Sequence, residues 1–318
     1  MKALWHRRPV RHVVAGLIPL LLVGAALLAV LTVRYSDVTA PLREATARAV
    51  ATVQRSGLGD DGRGVELSWT DEQGVRQTGL VRASGRGPVP VGARVGMRYV
   101  PSDPSRVYAA GDQTEERVRD IGFGMVAVIV VLVGAVLVSA VHVVRRLLAE
   151  RRPGTAMPVR YAQVRRRLLR RSWLVVDDQA RQWWLPVHWA PILGELGSGA
   201  SATVHGRPGR QRVLAIDAAD TTVWQAAGRV RTSPPRGEIV TDEEVWSPPA
   251  EPAAGPRTAD IGLARHLRTD GTPLVAAPTI GLVWAYVDGT GWGGAVVAAA
   301  LAAAVLVWLP TLLGSDPT

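Results

Sequence analysis

Six histidines are the side chains here best suited to proton or metal chemistry: His6, His12, His142, His188, His205 and His266. A metal-binding helix would show His-x-x-x-His, or a histidine beside a carboxylate at ligand spacing. Neither pattern is read here, so no metal site, no cofactor site and no catalytic residue is assigned. His142 stands near the end of a long apolar segment beside Arg145, where an interfacial role is favoured over a proton relay. His188 and His205 can converge within one β-domain, although surface or turn positions are the ordinary reading. Asp60-Asp61 has the oxygen donors of a calcium turn, but two adjacent acids usually make only a turn. Gly194-x-x-Gly197-x-Gly199 has the wrong glycine order for a dinucleotide loop and no lysine follows it. Ser198 and Ser201 lack the Gly-x-Ser-x-Gly frame of a nucleophile elbow. With no cysteine in the chain, disulfides, thiol catalysis and iron–sulfur clusters are excluded.

The elements that must position these residues are dominated by apolar segments. Val13–Val33 and Ile121–Val144 run without a charge, and Leu274–Val287 and Ala295–Leu313 follow near the C-terminus. Crossing a hydrocarbon core about 30 Å thick takes roughly 20 helical residues. The Leu, Ile and Val of the first segment alone favour insertion by about 4 to 8 kcal/mol. That segment is too long for a signal peptide and ends without a small-residue cleavage site, so it reads as an uncleaved anchor. Leu274–Val287 is short and holds Pro278 and Gly281; it spans only by recruiting its neighbours, and a re-entrant segment is the alternative. The expected fold class is an integral membrane protein with four α-helical spans and two small mainly-β domains, α+β overall. The spans are placed at 13–33, 121–144, 272–288 and 294–313. Gly294, Ala298 and Ala302 put small residues on one face of the fourth span, a surface for helix packing or self-association.

Charge orients the spans. The formal net charge is +10. The tail 1–12 carries Lys2, Arg7, Arg8 and Arg11, and Arg145, Arg146, Arg151 and Arg152 abut the second span. Basic residues near span ends stay cytoplasmic. A cytoplasmic N-terminus follows, with 34–120 outside and 145–271 inside. The juxtamembrane segment 145–171 is arginine-rich. Arg145, Arg146, Arg160, Arg165, Arg166, Arg167, Arg170 and Arg171 are its candidate contacts to anionic membrane lipid. An acidic protein is the lesser candidate. No nucleic-acid partner is expected, since no nucleic-acid-binding motif accompanies the patch.

Within 34–120 the pattern has period two. Val65, Leu67 and Trp69 alternate with polar residues, as do Val95, Met97 and Tyr99. Such alternation marks half-buried strands. Ala49–Arg55 and Arg76–Val81 are further strands, and Asp71-Glu72-Gln73-Gly74 is a hairpin turn. The segment closes on Tyr99-Val100-Pro101-Ser102-Asp103-Pro104. Pro101 and Pro104 should stop the strand, and Asp103 should bond nearby amides. On these residues, positions 13–144 resemble a domain of unknown function widespread in bacterial membrane proteins, with a Tyr-x-Pro-x-Asp-Pro signature. The resemblance implies a small extracytoplasmic β-unit between two transmembrane helices, and it carries no catalytic residue.

Residues 172–232 read as a small β-barrel or sandwich. Ser172–Val176, Trp183–Trp189, Thr203–His205, Arg212–Ile216, Thr222–Trp224 and Gly228–Arg231 are its strands. Trp183, Leu185, Val187 and Trp189 should face the core, with Trp184 and His188 on the opposite face. Trp184 is either an anchor for a partner or lipid, or an edge residue covered by the arginine segment. Residues 233–271, rich in proline, read as an extended linker. The functional expectation is a non-enzymatic scaffold, accessory subunit or sensor of the cell envelope with an unknown protein partner. A membrane-embedded enzyme or an oligomeric transporter component is the alternative.

Overall fold

The computed structural model describes residues 7–84, 89–110, 112–166, 169–178, 181–196, 200–219, 221–241, 262–288 and 291–317. Lys2, His6, Arg167, Ser198 and Asp242-Glu243-Glu244 lie outside these. The chain divides into two compact units, residues 25–131 and residues 1–24 with 132–318.

The unit of residues 25–131 takes in the second half of helix α1 (Arg8–Glu44), which leads into β1 (Ala47–Leu58), β2 (Gly64–Thr70), β3 (Arg76–Arg82), β4 (Arg94–Val100) and β5 (Asp103–Ala109). These make one antiparallel sheet in the order β3-β2-β1-β4-β5. The alternating residues do face one core: Val65, Leu67, Trp69, Met97 and Tyr99 are all buried with Ala51, Val53 and Val107. Gly79 lets the sheet curl, because a side chain there would meet Val107 and the Trp69 ring. The β2–β3 turn is held by Asp71, whose carboxylate accepts from the amides of Gln73 and Val75 and from Gln77. Gly74 supplies its positive φ of 79°. The closing motif departs from expectation. Pro101 and Ser102 form a turn and the chain returns as β5, with Val100 opposite Asp103, so Pro104 sits within a strand. Pro104 is tolerated because β5 lies at the sheet edge, where a missing amide donor breaks no ladder. Asp103 accepts from the Ser105 amide and hydroxyl.

The other unit takes in the part of α2 (Gln113–Glu150) from residue 132 on, followed by β6 (Gly154–Arg166), β7 (Leu169–Asp178), β8 (Arg181–Val187), a 3-10 turn (Pro191–Glu195), β9 (Ala200–His205), β10 (Ala215–Ala218), β11 (Thr221–Trp224) and β12 (Glu238–Thr241). The sheet order is β11-β10-β9-β6-β7-β8, with β12 also paired to β6. Beyond β11 the backbone bonds β8, through the His188 amide to Trp224 O, the Ala226 amide to Pro186 O, and Trp184 with Arg231 in both directions. These bonds close the sheet into a ring, with Leu174, Leu185, Val187, Trp189, Val204 and Ile216 inside.

Two sequence expectations change here, and of the two readings of Trp184 the covered one holds. The sheet starts at Gly154, within the segment read as juxtamembrane, because Ala162 and Val164 alternate with polar residues and bury against Trp173 and Val175. Trp184 is covered by that same hairpin and is only 6% exposed, while Trp183 is the half-buried one of the pair. Glu238–Thr241, placed in the proline-rich linker, pairs with β6.

The chain ends with α3 (Leu263–Asp270), a 3-10 turn (Thr272–Ala276), α4 (Ala277–Asp288) and α5 (Gly291–Leu313). Helices α1, α2 and α5 are long and apolar enough to cross a membrane. The segment expected as the third span is made of the 3-10 turn followed by the 12-residue α4. Leu20, Ala135 and Ala304 form the centre of a bundle of α1, α2 and α5, tied by Trp308 donating to the Ser139 hydroxyl.

Candidate functional site at the seam between helices and ring

Helical spacing sets the site. His142, Arg146 and Glu150 stand four apart on α2, so they share one face. Glu150 accepts from the Arg7 guanidinium and from the Trp224 indole. Arg146 donates to Gln225 O at 2.5 Å and to His142 O at 2.7 Å. The Gln225 side chain is itself held by the Leu214 amide and the carbonyls of Arg212 and Gly228. His142 meets His188, at the end of β8, through their Nε2 atoms at 2.9 Å. The last residues of the chain complete the seam. Asp316 is fully buried and accepts from the Tyr161 and Ser172 hydroxyls. Arg171 donates to Leu313 O and Ala227 O.

A second histidine group lies in the same unit. His12, one turn into α1, faces Asp270 of α3 with Nε2 to Oδ2 at 2.6 Å. His266, also on α3, stacks on His12 with ring centroids 3.9 Å apart. Its Nε2 lies 2.8 Å from Ser315 O and 3.1 Å from Ser315 Oγ. Trp189 packs edge-on against His266, and the Arg8 guanidinium lies over the Trp189 ring. His12, His266 and Asp270 are the side chains here that could hold a metal ion.

Burial governs protonation in this seam. It pushes His188 well below the usual imidazole range, and His142, Arg146, His12 and His266 push the same way. Burial likewise lowers His266 to about 4, with His12 adding to the effect and Asp270 opposing it. Both rings are neutral at pH 7, so each presents one N–H and one lone pair. Burial lowers Arg171 to about 10. His205 behaves oppositely: its bond to Arg152 O raises its pKa, and Asp217 at 2.7 Å reinforces that.

The histidines therefore group differently from the expectation. His188 joins His142 rather than His205. Carboxylate partners exist at His12 and His205, because folding joins distant or cross-strand positions that linear spacing does not connect. His266 and Asp270 do stand four apart on one helix, a spacing that was the available signal. Among the arginines, Arg146 is buried and Arg171 is engaged with Leu313 O and Ala227 O, while Arg145 and Arg165 are exposed. Arg160 is half-buried and donates to Gln182, Arg170 is exposed on β7, and only the backbone of Arg166 is described. Gly294, Ala298 and Ala302 are half-buried; the close approach of α5 runs through neighbouring Ala295 and Ala299, which would collide with any side chain at Gly281 of α4.

Comparison with protein-family models, curated proteins and solved structures finds no match for this chain.

Proposed function

We propose that this chain is a non-enzymatic multi-pass protein of the bacterial plasma membrane, a scaffold, accessory subunit or sensor of the cell envelope, with its N-terminus cytoplasmic. One observation carries the reading: α2 and the residues flanking α1 and α5 all meet the β6–β12 ring. Arg7 and Trp224 share Glu150, His142 meets His188, and Asp316 holds Tyr161 and Ser172. A domain fastened at three helix ends is built to move with those helices, which suits coupling better than tethering. The resemblance of residues 13–144 to an extracytoplasmic β-unit supports the same placement of the β1–β5 sheet.

Four crossings fit the C-terminal geometry. The 3-10 turn and α4 rise about 10 and 18 Å, together close to the 30 Å of a hydrocarbon core. They leave from α3, which packs on the start of α1, and α5 returns the chain to the ring. Anionic lipid is the membrane partner we favour. A cleft of about 830 Å³ has Leu137, Val138 and Val141 of α2 on one side and exposed Arg145, Arg210, Arg212 and Arg229 on the other. Apolar residues for acyl chains beside guanidiniums for phosphate are what an inner-leaflet headgroup requires.

Hydrogen exchange on the full chain in lipid nanodiscs tests the coupling. Glu150→Ala removes the acceptor shared by Arg7 and Trp224, so exchange should rise in β10 and β11 and in the first turns of α1 together. Unchanged exchange in the ring would mean a merely tethered domain and defeat the reading.

A second reading, a membrane-embedded enzyme, is favoured by a single feature: a cavity of about 330 Å³ lined by Arg7, Arg8, His188 and Trp224 opens beside the histidine seam.

A further inference from the structure

His12, His266 and Asp270 come from two elements far apart in sequence, and each is 2% exposed or less. Their donor atoms all lie within 4.8 Å of one another. Two details go beyond a simple buried ion pair. First, Asp270 uses only Oδ2, toward His12; its Oδ1 is buried without a hydrogen-bond partner. Second, His266 spends Nε2 on Ser315, while its Nδ1 is buried and also lacks a partner. A carbonyl oxygen at 2.8 Å makes Nε2 the protonated nitrogen. Nδ1 therefore carries the lone pair. A metal-ligating histidine has this arrangement, donating its other N–H to a carbonyl that fixes the tautomer and the ring. Leaving two buried acceptors unsatisfied is unfavourable, and one cation between them would satisfy both.

We propose that His12, His266 and Asp270 bind a divalent transition-metal ion of the zinc class, through His12 Nε2, His266 Nδ1 and the Asp270 carboxylate. Two imidazoles with one carboxylate select zinc, cobalt, nickel or iron over magnesium and calcium, which take all-oxygen sites. Ligand atoms around a tetrahedral ion, with bonds near 2.0–2.2 Å, sit roughly 3.4 Å apart. The present separations, from 2.6 Å up to 4.8 Å, straddle that value. Binding thus releases the proton that His12 Nε2 and Asp270 share and opens the pair by about 0.8 Å, within reach of a carboxylate rotation. The ion would lock α3 to the start of α1, and through Ser315 to the chain's end. The inference is independent of the scaffold reading and of the lipid cleft.

The test uses the full chain in detergent, stripped with a chelator and then titrated with Zn²⁺, Co²⁺ or Mg²⁺. His205→Gln is included in every sample to remove the half-buried His205–Asp217 pair as a competing site. We expect one Zn²⁺ per chain, a Co²⁺ complex with visible ligand-field absorption, and no Mg²⁺ uptake. His266→Ala and Asp270→Ala should each lower Zn²⁺ affinity at least a hundredfold. Zinc-edge X-ray absorption on chain carrying all three ligands covers the case where these variants do not fold. It should show imidazole scattering with a shell at about 2.0–2.1 Å. No stoichiometric uptake, uptake undiminished in folded His266→Ala and Asp270→Ala, or an all-oxygen six-coordinate shell would each overturn the proposal.

Discussion

His142 of α2 and His188, the residue after β8, meet through their Nε2 atoms at 2.9 Å, with both residues buried. One ring must donate and the other accept, so a proton on the accepting nitrogen destroys the bond. The contact joins a helix long enough to cross a membrane to the closing edge of the β6–β12 ring.

Acid should therefore loosen the ring. His188 is held well below its usual pKa by burial and by His142, Arg146, His12 and His266. Below about pH 6.5 the unfolded chain binds a proton there that the folded chain does not. Stability then falls with falling pH, by up to about 1.4 kcal/mol per pH unit for this one group. His188→Gln should flatten the acid limb of a pH–melting curve, and an unaltered slope would remove His188 as its source.

His205 should act with the opposite sign. Its folded pKa is raised by Arg152 O and by Asp217, so its contribution is complete below the unfolded value near 6.5. That contribution is lost as pH rises through the raised folded value. His205→Gln should lower the melting temperature at acidic pH and leave it unchanged at alkaline pH.

The tryptophan pair gives a packing test. Trp184 is buried among Ala162, Val164, Trp173 and Val175, whereas Trp183 is half-buried beside Gly209. Trp184→Ala should cost about 3–5 kcal/mol, as large-to-small core changes do, and Trp183→Ala less. Chemical denaturation of the full chain would show the order.

Binding of anionic lipid should depend on the cleft arginines. Each contributes about 1 kcal/mol near a charged leaflet. Replacing Arg210, Arg212 and Arg229 together by Gln should then weaken anionic-lipid binding roughly a hundredfold. Neutral lipid should be unaffected, and native mass spectrometry of the lipid-bound protein measures both.

Much of the architecture is legible in the residues themselves. Val65, Leu67 and Trp69 alternate visibly and are buried as that alternation requires. The apolar runs become α1, α2 and α5. The β6–β7 hairpin is harder to read, because arginines interrupt its apolar alternation and small Ala162 and Val164 are what it sets against Trp173 and Val175. The short helix α4 is obscured by Pro278 and Gly281, whose packing role against Ala295 and Ala299 is set by tertiary contact. The candidate site is least legible. His266 and Asp270 share a helical face by their spacing, but His12 lies 258 residues from Asp270 and no local pattern links them.

The central claim of the proposed function, a membrane-crossing chain with residues 34–120 outside and 145–271 inside, can be tested by labelling. The chain has no cysteine of its own, so single substitutions report cleanly. Asp61→Cys lies in the β1–β2 turn and Arg207→Cys in the loop after β9, both exposed. A membrane-impermeant maleimide applied to intact cells should label Asp61→Cys at once and Arg207→Cys only after the membrane is opened. Labelling of both from the same side would contradict the claim.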